Sequence, residues 1–261
     1  MPFDGLPRLG KKPASPPRVR PLAELLGLGK PSVIMPPVPT SVDRGRPVTS
    51  WPMLDNDSIG DCTIAAVGHA VQLWTTVAGD PRAMTGAEAL LGYERFGYVP
   101  GDADTDLGAN AQDVLARWAD NGFACGGKND RLAGFCSIAP KLRTTIKMGV
   151  AWLGVVYAGI RLPLGVQGAD SWDLGPLGDV PAEGPWAPGS WGGHAVPIIG
   201  YDAKGLTVVT WGRTLRMSWR FWDGYADEAY GLLSRDFACR NVPAEAWRRL
   251  EDDMAGLRKA A

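Results

Sequence analysis

The spacing of apolar residues changes its period near residue 150, and this change narrows the folds that the chain can adopt. Before that point apolar side chains recur at helical spacing, from residues 62–77 to a stripe that begins at Pro140. After it come short apolar runs typical of buried strands, at residues 155–160, 194–201 and 206–211. Helices followed by strands are typical of an α+β protein with two lobes.

We predict an arm and one two-lobed domain along the 261 residues. The arm, residues 1–50, is extended, proline-rich and basic, and the domain covers residues 51–261. The domain consists of a helical lobe at 51–150, a β lobe at 151–225 and a C-terminal part at 226–261. Two helices are predicted in this C-terminal part, at 226–233 and 243–257. A chain of this length can build two lobes that share a cleft. Thr85 and Glu88 have the spacing of a capping box, which predicts a helix start.

The N-terminal arm differs in composition from the rest of the chain. Residues 1–52 contain 12 of the 22 prolines, and basic residues outnumber acidic ones by 8 to 3 over residues 1–50. Such a segment favours extended backbone and does not build its own core. We expect a linker, a pro-segment, or a strap that lies on neighbouring subunits of an assembly.

The overall charge gives no reason to expect a nucleic-acid partner, because the formal net charge is −1 and the isoelectric point is near 6.1. No apolar run reaches the ~18 residues that a membrane-spanning helix needs. The N-terminus has no apolar secretion core, so the expected location is the cytoplasm.

The four cysteines do not form a metal-site pattern, because none lies in a C-x-x-C pair and the chain has only two histidines. We therefore expect no metal ion and no other cofactor. Without a secretion signal, free thiols are the default, and a disulfide between Cys125 and Cys136 is the alternative.

Cys62 stands at the first turn of a predicted helix, directly after a polar turn that contains glycine. A thiol at a helix N-terminus lies at the positive end of the helix dipole and near unpaired backbone N–H groups, and both favour the thiolate. The same N–H groups can hold the oxyanion that develops during acyl transfer. The alternative is a small buried residue at a helix start, a common role of cysteine.

A thiolate nucleophile also needs a base, and the chain offers two histidines. His69 lies about 10 Å beyond Cys62 along the same helix, so we expect it in the core or at an interface. His194 follows Gly192 and Gly193, which let another backbone or a substrate approach closely. His194 is therefore the candidate base and Gly193 a candidate substrate-binding residue. The alternative is a histidine at a strand edge.

The segments around these residues resemble the papain-like cysteine peptidases. Residues 55–62 (DNDSIGDC) look like that family's turn before its cysteine, with Asn56 in the place of the oxyanion-hole glutamine. His194 lies 132 residues after Cys62, a spacing that suits the family, and residues 193–201 (GHAVPIIGY) resemble its histidine segment.

Two further segments carry the resemblance, which spans residues 50–225. Residues 210–212 (TWG) look like the end of the family's N-S-W-G segment, and Asp106-x-Gly108 with the helix up to Gly122 resembles the stretch after the cysteine helix. The resemblance implies a papain-like two-lobed fold and a thiol hydrolase. The cysteine turn and the Thr-Trp-Gly segment are also similar to proteins encoded by tailed bacteriophages, which implies a virion location as the alternative.

The resemblance assigns a role to each matching residue. Cys62 attacks a peptide carbonyl, His194 shuttles the proton, and Asn56 binds the oxyanion together with the Cys62 backbone N–H. Trp211 shields the histidine from water and is a candidate substrate-binding residue; its alternative role is that of a core aromatic residue.

One position departs from the family pattern. The asparagine that orients the histidine falls on Val209, whose side chain cannot accept an imidazole N–H. Orientation would then come from a backbone carbonyl, from Thr210 or from another loop. Loss of an orienting group weakens catalysis more often than it abolishes it.

The loop at 163–193 is rich in glycine, proline and tryptophan and also carries acidic residues. In a papain-like layout it overhangs the cleft. Trp186 and Trp191 are therefore candidate substrate-binding residues, for a peptide, a sugar or a partner surface. The alternative is a loop packed by its own tryptophans.

Three functions are consistent with these features. The first is a cysteine peptidase acting on a protein or peptide, with the arm as a pro-segment across the cleft. The second is a catalytically weak or inactive papain-like structural or interaction protein of a bacteriophage particle, favoured by Val209 and by an arm suited to strapping neighbouring subunits. The third is a cysteine-type cell-wall amidase or endopeptidase, disfavoured because those enzymes place the histidine nearer in sequence.

Overall fold

The computed structural model describes residues 7–25, 37–174 and 178–237, together with Arg248 and Asp252. Its helices are α1 (Leu22–Leu25), α2 (Cys62–Ala78), α3 (Gly86–Glu94), α4 (Ala111–Asp120), α5 (Arg143–Leu153) and α6 (Trp219–Tyr225). Its strands are β1 (Val42–Asp43), β2 (Phe123–Cys125), β3 (Lys128–Asp130), β4 (Gly134–Ser137), β5 (Val156–Leu162), β6 (Ser171–Trp172), β7 (Gly192–Tyr201), β8 (Gly205–Thr210), β9 (Arg213–Ser218) and β10 (Ala226–Leu233). This mixture of helices and strands is the predicted α+β class.

A single sheet organises the described chain around β7. Its strand order is β4-β10-β5-β7-β8-β9-β6, with β1 added beside β7, and β2 and β3 form a separate hairpin. Neighbouring strands run antiparallel except for β6 and β9, which are parallel. His194 lies near the start of this central strand, where it pairs with Ile160 on β5.

Each face of the sheet supports its own apolar core. Because successive strand residues point to opposite faces, Val196 and Ile198 on β7 join one core, whereas Ala195 and Ile199 join the other. Helices α2, α3 and α4 cover the face that carries Ala195, and α5 and α6 cover the opposite face. Helix α2 therefore packs directly against β7.

The helices begin and end where the local sequence indicates. Helix α3 starts at the predicted capping box, in which Thr85 and Glu88 each bind the other's backbone N–H. Helix α2 ends at Gly79, whose φ of 87° closes the last turn in the left-handed conformation. The first turn of α2 is fixed from the sheet, because Tyr157 on β5 donates its hydroxyl to the Thr63 carbonyl at 3.0 Å.

The predicted helix at 226–233 is wrong, because these residues form β10. Alanine, glutamate and leucine favour a helix, but β10 lies between β4 and β5 and pairs its backbone with both. The predicted helix at 243–257 lies outside the described residues except for Arg248 and Asp252. The sheet also draws on residues before 151, because β4 lies at its edge and α5 packs in the core of the face opposite α2.

The described parts of the arm lie on the arm's own domain. Residues 37–50 contribute β1, in which Val42 pairs with Tyr201. Residues 7–25 run past α4 to the edge of the sheet, where Leu22 and Leu25 are buried in the core. The arm is thus held by its own domain. Among the described residues, no helix has the length and apolar character that crossing a membrane requires.

Candidate active site

The turn before Cys62 is shaped by hydrogen bonds to one half-buried carboxylate, that of Asp106. Asp106 accepts the Gly60 backbone N–H at 3.0 and 3.1 Å and the Tyr93 hydroxyl at 2.7 Å. The Tyr93 hydroxyl in turn accepts the Gly108 N–H at 2.8 Å. These bonds tie the turn to the loop before α4, and they fix where α2 begins.

Cys62 is buried at the boundary between α2 and β7. The backbone N–H groups of Ala195 on β7 and of Gly10 in the arm both approach the thiol and lower its pKa. Burial acts more strongly and raises the pKa of Cys62 to about 11. In this arm-covered state burial thus acts against the thiolate that we expect the helix N-terminus to favour.

His194 is fully buried, and its ring is held by two neighbours. Its Nε2 lies 2.7 Å from the Thr210 hydroxyl oxygen, and the ring stacks on Trp211 with centroids 4.6 Å apart and planes inclined by 20°. Its Nδ1 is buried and makes no hydrogen bond within the described part of the chain. Burial, followed by the positive charge of Lys11, lowers the pKa of His194 to about 3.

Thr210, one of the orienting groups that the sequence left open, is the hydrogen-bond partner of the imidazole. Residues 209 and 210 are neighbours on β8, so their side chains point to opposite faces of the sheet. Val209 is buried in the α2-side core, whereas Thr210 reaches the imidazole. The loss of the family's asparagine is thus accompanied by a different hydrogen-bond partner at the next position.

Asn56 lies beside Asp61, the residue that directly precedes Cys62. The Asn56 amide Nδ2 donates to the Ile59 carbonyl at 3.3 Å, so it serves the turn itself in this structure. Burial raises the pKa of Asp61 well above its usual range, and the nearby Asn56 side chain opposes that shift. Sequence reasoning missed Asp61, although an acidic residue directly before the candidate nucleophile was a visible signal.

The tryptophans of the long loop take different positions. Trp191 lies 5.5 Å from Trp211, and Trp172 meets the His194 ring edge-on at 6.1 Å. Trp186 packs against Gly165 inside the loop. Trp211, which is 9% exposed, and Trp191 therefore form an aromatic cover next to the imidazole, while Trp186 serves the packing of the loop.

The arm passes through the cleft as an extended stretch, residues 9–12, which we call the cleft segment and which makes an isolated parallel bridge from Lys11 to Ala109. Lys11 N–H donates to the Gly193 carbonyl at 3.0 Å, on the β7 side. Lys12 N–H donates to the Ala109 carbonyl at 3.0 Å, and Ala109 N–H donates to the Gly10 carbonyl at 2.8 Å, on the side of α4. The backbone of the cleft segment therefore joins both sides of the cleft.

Glycines on both sides of the cleft make room for this segment. A Cβ on Gly10 would overlap the Gly60 carbonyl, and a Cβ on Gly108 would overlap the Gly10 carbonyl. Gly193, a predicted substrate-binding residue, packs so tightly on the Lys11 carbonyl that a Cβ there would overlap it. The cleft is thus shaped for the close approach of an extended backbone, and the arm provides that backbone.

The side chain of Lys11 is fully buried in an acidic pocket. Its Nζ lies 2.8 Å from Glu228 Oε1, 3.0 Å from Asp227 Oδ2 and 3.0 Å from the Lys12 carbonyl oxygen. Tyr230 donates its hydroxyl to the other Glu228 oxygen at 2.7 Å. Sequence reasoning missed this cluster, because the lysine and the two carboxylates are more than 210 residues apart.

The other histidine and the other described cysteines lie away from this cleft. His69 is buried, and its Nε2 lies 2.9 Å from the Pro52 carbonyl oxygen, as expected for a core residue. Cys125 and Cys136 are buried free thiols. Within the described ranges no group of three or more metal-ligating side chains comes together.

Comparison with known proteins supports the fold through structure alone. Neither a protein-family model nor a curated protein sequence matches the chain. Xylellain, a cysteine protease from Xylella fastidiosa, superimposes with a TM-score of 0.59 over 88% of this chain and 97% of its own, at 15% sequence identity.

Two further cysteine proteases show the same likeness. A protease from Carica candamarcensis gives a TM-score of 0.53 over 76% of this chain and 99% of its own, at 14% identity. A digestive procathepsin L from the larval midgut of Tenebrio molitor gives 0.52 over 88% of this chain and 76% of its own, at 15% identity. The chain therefore has the papain-like α+β fold predicted from its sequence.

Proposed function

We propose that this chain is a papain-like thiol hydrolase, a cysteine peptidase that cleaves peptide bonds, and that its own arm keeps it latent. The observation that carries the proposal is the passage of the cleft segment over Cys62, with Lys11 bonded to the residue before His194 and Gly10 against the thiol. In this proposal a peptide substrate takes the path that the extended cleft segment occupies in the closed state.

The proposal takes its division of labour from the family pattern that residues 55–62 and 193–201 resemble. Once the arm leaves, Cys62 gives its proton to the His194 ring and its sulfur attacks the substrate carbonyl carbon. The peptide C–N bond breaks, and the proton passes from His194 to the leaving amine. Water then attacks the thioester, which releases the acid and restores the thiol.

Thr210 and Trp211 hold the imidazole in this scheme. The Thr210 hydroxyl bonds Nε2, which leaves Nδ1 for proton transfer, and the stacked Trp211 ring keeps water from the histidine face. Backbone N–H groups at the start of α2 have no partner inside the helix and are the donors best placed for an oxyanion. Asn56 would add a donor only after its amide leaves the Ile59 carbonyl.

The arm explains why the catalytic groups are unsuited to reaction in the closed state. Burial keeps the thiol protonated and the imidazole neutral in the closed state, with pKa values of about 11 and about 3. Both shifts are caused first by burial, so removal of the arm readmits water and moves both pKa values back towards their usual ranges. The procathepsin among the structural neighbours is, by its name, also a proenzyme.

A hydrolysis assay on the full chain tests this function. We expect the Gly10→Ala variant, whose added methyl group forces the cleft segment out, to cleave a mixture of quenched fluorescent peptides. The same variant with Cys62→Ala should lose the activity. Cleavage that survives the loss of the thiol, or no cleavage once hydrogen exchange shows that the arm has left, would refute the proposal.

A second candidate is a papain-like structural or interaction protein without turnover, in the sequence-based hypothesis one from a bacteriophage particle. The specific observation in its favour is the burial of both candidate catalytic side chains, together with valine at position 209. The arm favours the hydrolase instead, because its described residues pack on the cleft and core of the same chain, as a pro-segment would. A closed, inert protein would leave peptides intact even with the arm displaced.

A further inference from the structure

We propose that the cavity holding the Lys11 side chain is a specificity pocket for a primary ammonium group, which selects peptide substrates carrying lysine at the position that enters it. The inference rests on the proposed function and deepens it. It concerns the chemistry of the substrate, for which the arm acts as a resident stand-in.

The pocket is built from three adjacent strands and lies next to the thiol. Gly159 on β5 pairs on one side with Ala195 on β7 and on the other with Glu228 on β10. Ala195 is the residue whose backbone N–H approaches the Cys62 thiol. Directly paired residues lie about 5 Å apart, so the pocket opens within one or two strand spacings of the sulfur.

Gly159 makes the space that the lysine methylene groups fill. A Cβ at this position would lie 2.5 Å from Glu228 Cγ, 2.7 Å from Lys11 Cε and 2.8 Å from Asp227 Oδ1. A residue with any side chain would therefore close the cavity. Glycine on a central strand weakens local packing, and here the gain is a slot that fits a long, unbranched side chain.

The charges in the pocket exceed what one lysine neutralises. Two carboxylates face a single ammonium group, and the side chains of Glu228 and Asp227 are only 5% and 12% exposed. Asp227 Oδ1 is buried without a hydrogen-bond partner. A pocket with two buried carboxylates strongly favours a cation over a neutral or acidic side chain, because an unpaired buried charge is costly.

Holding the arm alone would not require this pocket. The arm is also anchored by backbone hydrogen bonds at Lys11 and Lys12 and by the burial of Leu22 and Leu25. A carboxylate pair that remains in the cleft after the arm leaves must take up water or another cation. A peptide that follows the same backbone path and carries lysine supplies that cation.

The test uses the full chain with Gly10→Ala, which displaces the cleft segment, and Lys11→Ala, which removes the resident ammonium group. Two matched peptide epoxides that differ only in lysine against norleucine are compared on it. These side chains have similar length, and only lysine carries the charge. We expect Cys62 to be labelled roughly tenfold or more faster by the lysine reagent, since charge-assisted hydrogen bonds are the strong ones. Equal rates, or faster labelling by norleucine, would overturn the pocket assignment.

Two further variants separate the pocket from the fold. Adding Glu228→Gln should reduce the lysine preference, and adding Gly159→Ala should slow labelling by both peptides because it fills the slot. As the matched control, Gly178→Ala adds a methyl group in open space and should leave the preference unchanged. A preference that persists in the glutamine variant would also overturn the assignment.

A binding readout keeps this proposal distinct from the proposed function. If neither epoxide labels Cys62, the hydrolase proposal fails, and the pocket is judged on the Lys11→Ala, Cys62→Ala chain. There, n-butylammonium should raise the melting temperature, n-butanol at the same concentration should not, and Glu228→Gln should remove the difference. Equal shifts with the amine and the alcohol would overturn the pocket assignment on their own.

Discussion

The Thr210 hydroxyl oxygen lies 2.7 Å from Nε2 of His194, at the position next to the one where the family pattern places an asparagine. A hydroxyl can donate or accept, so it fits either tautomer of the ring. The bond lies in a buried setting, where an unsatisfied ring nitrogen would be costly. The Thr210 hydroxyl is therefore the group in contact with the candidate base that could orient it.

Replacing Thr210 tests this orienting role. Thr210→Val keeps the shape but removes the hydroxyl, so we expect a loss of roughly 1–3 kcal/mol in the free energy of unfolding and slower labelling of Cys62. Thr210→Ser, which keeps the hydroxyl, should retain most of the stability and most of the labelling rate. Chemical denaturation and mass spectrometry measure the two effects, and equal labelling in the valine and serine variants would exclude an orienting role.

Gly10→Ala should displace the cleft segment. Its added methyl group would overlap the Gly60 carbonyl, which belongs to a turn fixed by Asp106 and cannot yield cheaply. We expect amide hydrogen exchange at Lys11, Lys12 and Ala109 to rise by about tenfold or more, as the closed population falls. The Gly178→Ala control should exchange like the parent chain. Unchanged protection in Gly10→Ala would mean that the arm tolerates the overlap.

Acid should open the arm through His194. The pKa of His194 is about 3 in the closed state, below the usual value of about 6.5. A base with a depressed pKa binds fewer protons in the closed state, so closure is fully stable above about pH 6.5 and weakens as pH falls towards 3.

Each pH unit in that window favours the open state by up to about tenfold. Limited proteolysis of the arm at pH 7 and pH 4 measures this, with His194→Gln as the control that should flatten the response. An arm that is equally resistant to protease at both pH values would contradict the prediction.

Asp61 should respond to pH in the opposite sense. Burial raises its pKa above the usual range, so the folded chain keeps the proton that the unfolded chain releases above about pH 4. Stability is therefore lost as pH rises. We expect Asp61→Asn, a neutral side chain of the same size, to raise the melting temperature at pH 7, with the gain vanishing near pH 4. A gain of equal size at both pH values would point to packing instead.

Local signals predicted most of the fold. The capping box at Thr85, the helix at 62–77 and the apolar run at 194–201 each fix their element by interactions within a few residues, and the structure has them within a residue or two. The strand at 226–233 could not be read in this way. Its composition suits a helix, and only pairing with β4 and β5, distant in sequence, makes it a strand.

The sequence predicted those candidate site residues that stand in a linear motif, but not those that are brought together only by the fold. Cys62 and His194 stand in recognisable segments, whereas Thr210 acts only because β8 turns its side chain to the imidazole. The Lys11 pocket joins the two ends of the chain. No spacing rule connects residues so far apart, so the arm could be predicted to cross the cleft but not to anchor there through a lysine.

The most direct test of the proposed Cys62–His194 pair is the rate of Cys62 alkylation by iodoacetamide between pH 5 and pH 11. We compare the parent chain, Gly10→Ala, and Gly10→Ala with His194→Ala. We expect the parent to react only as pH nears 11, and Gly10→Ala to react at a pH lower by about one unit or more, because burial is relieved. The added His194→Ala should slow that reaction. Three superimposable profiles would show that neither the arm nor the histidine controls the thiol, and would contradict the account.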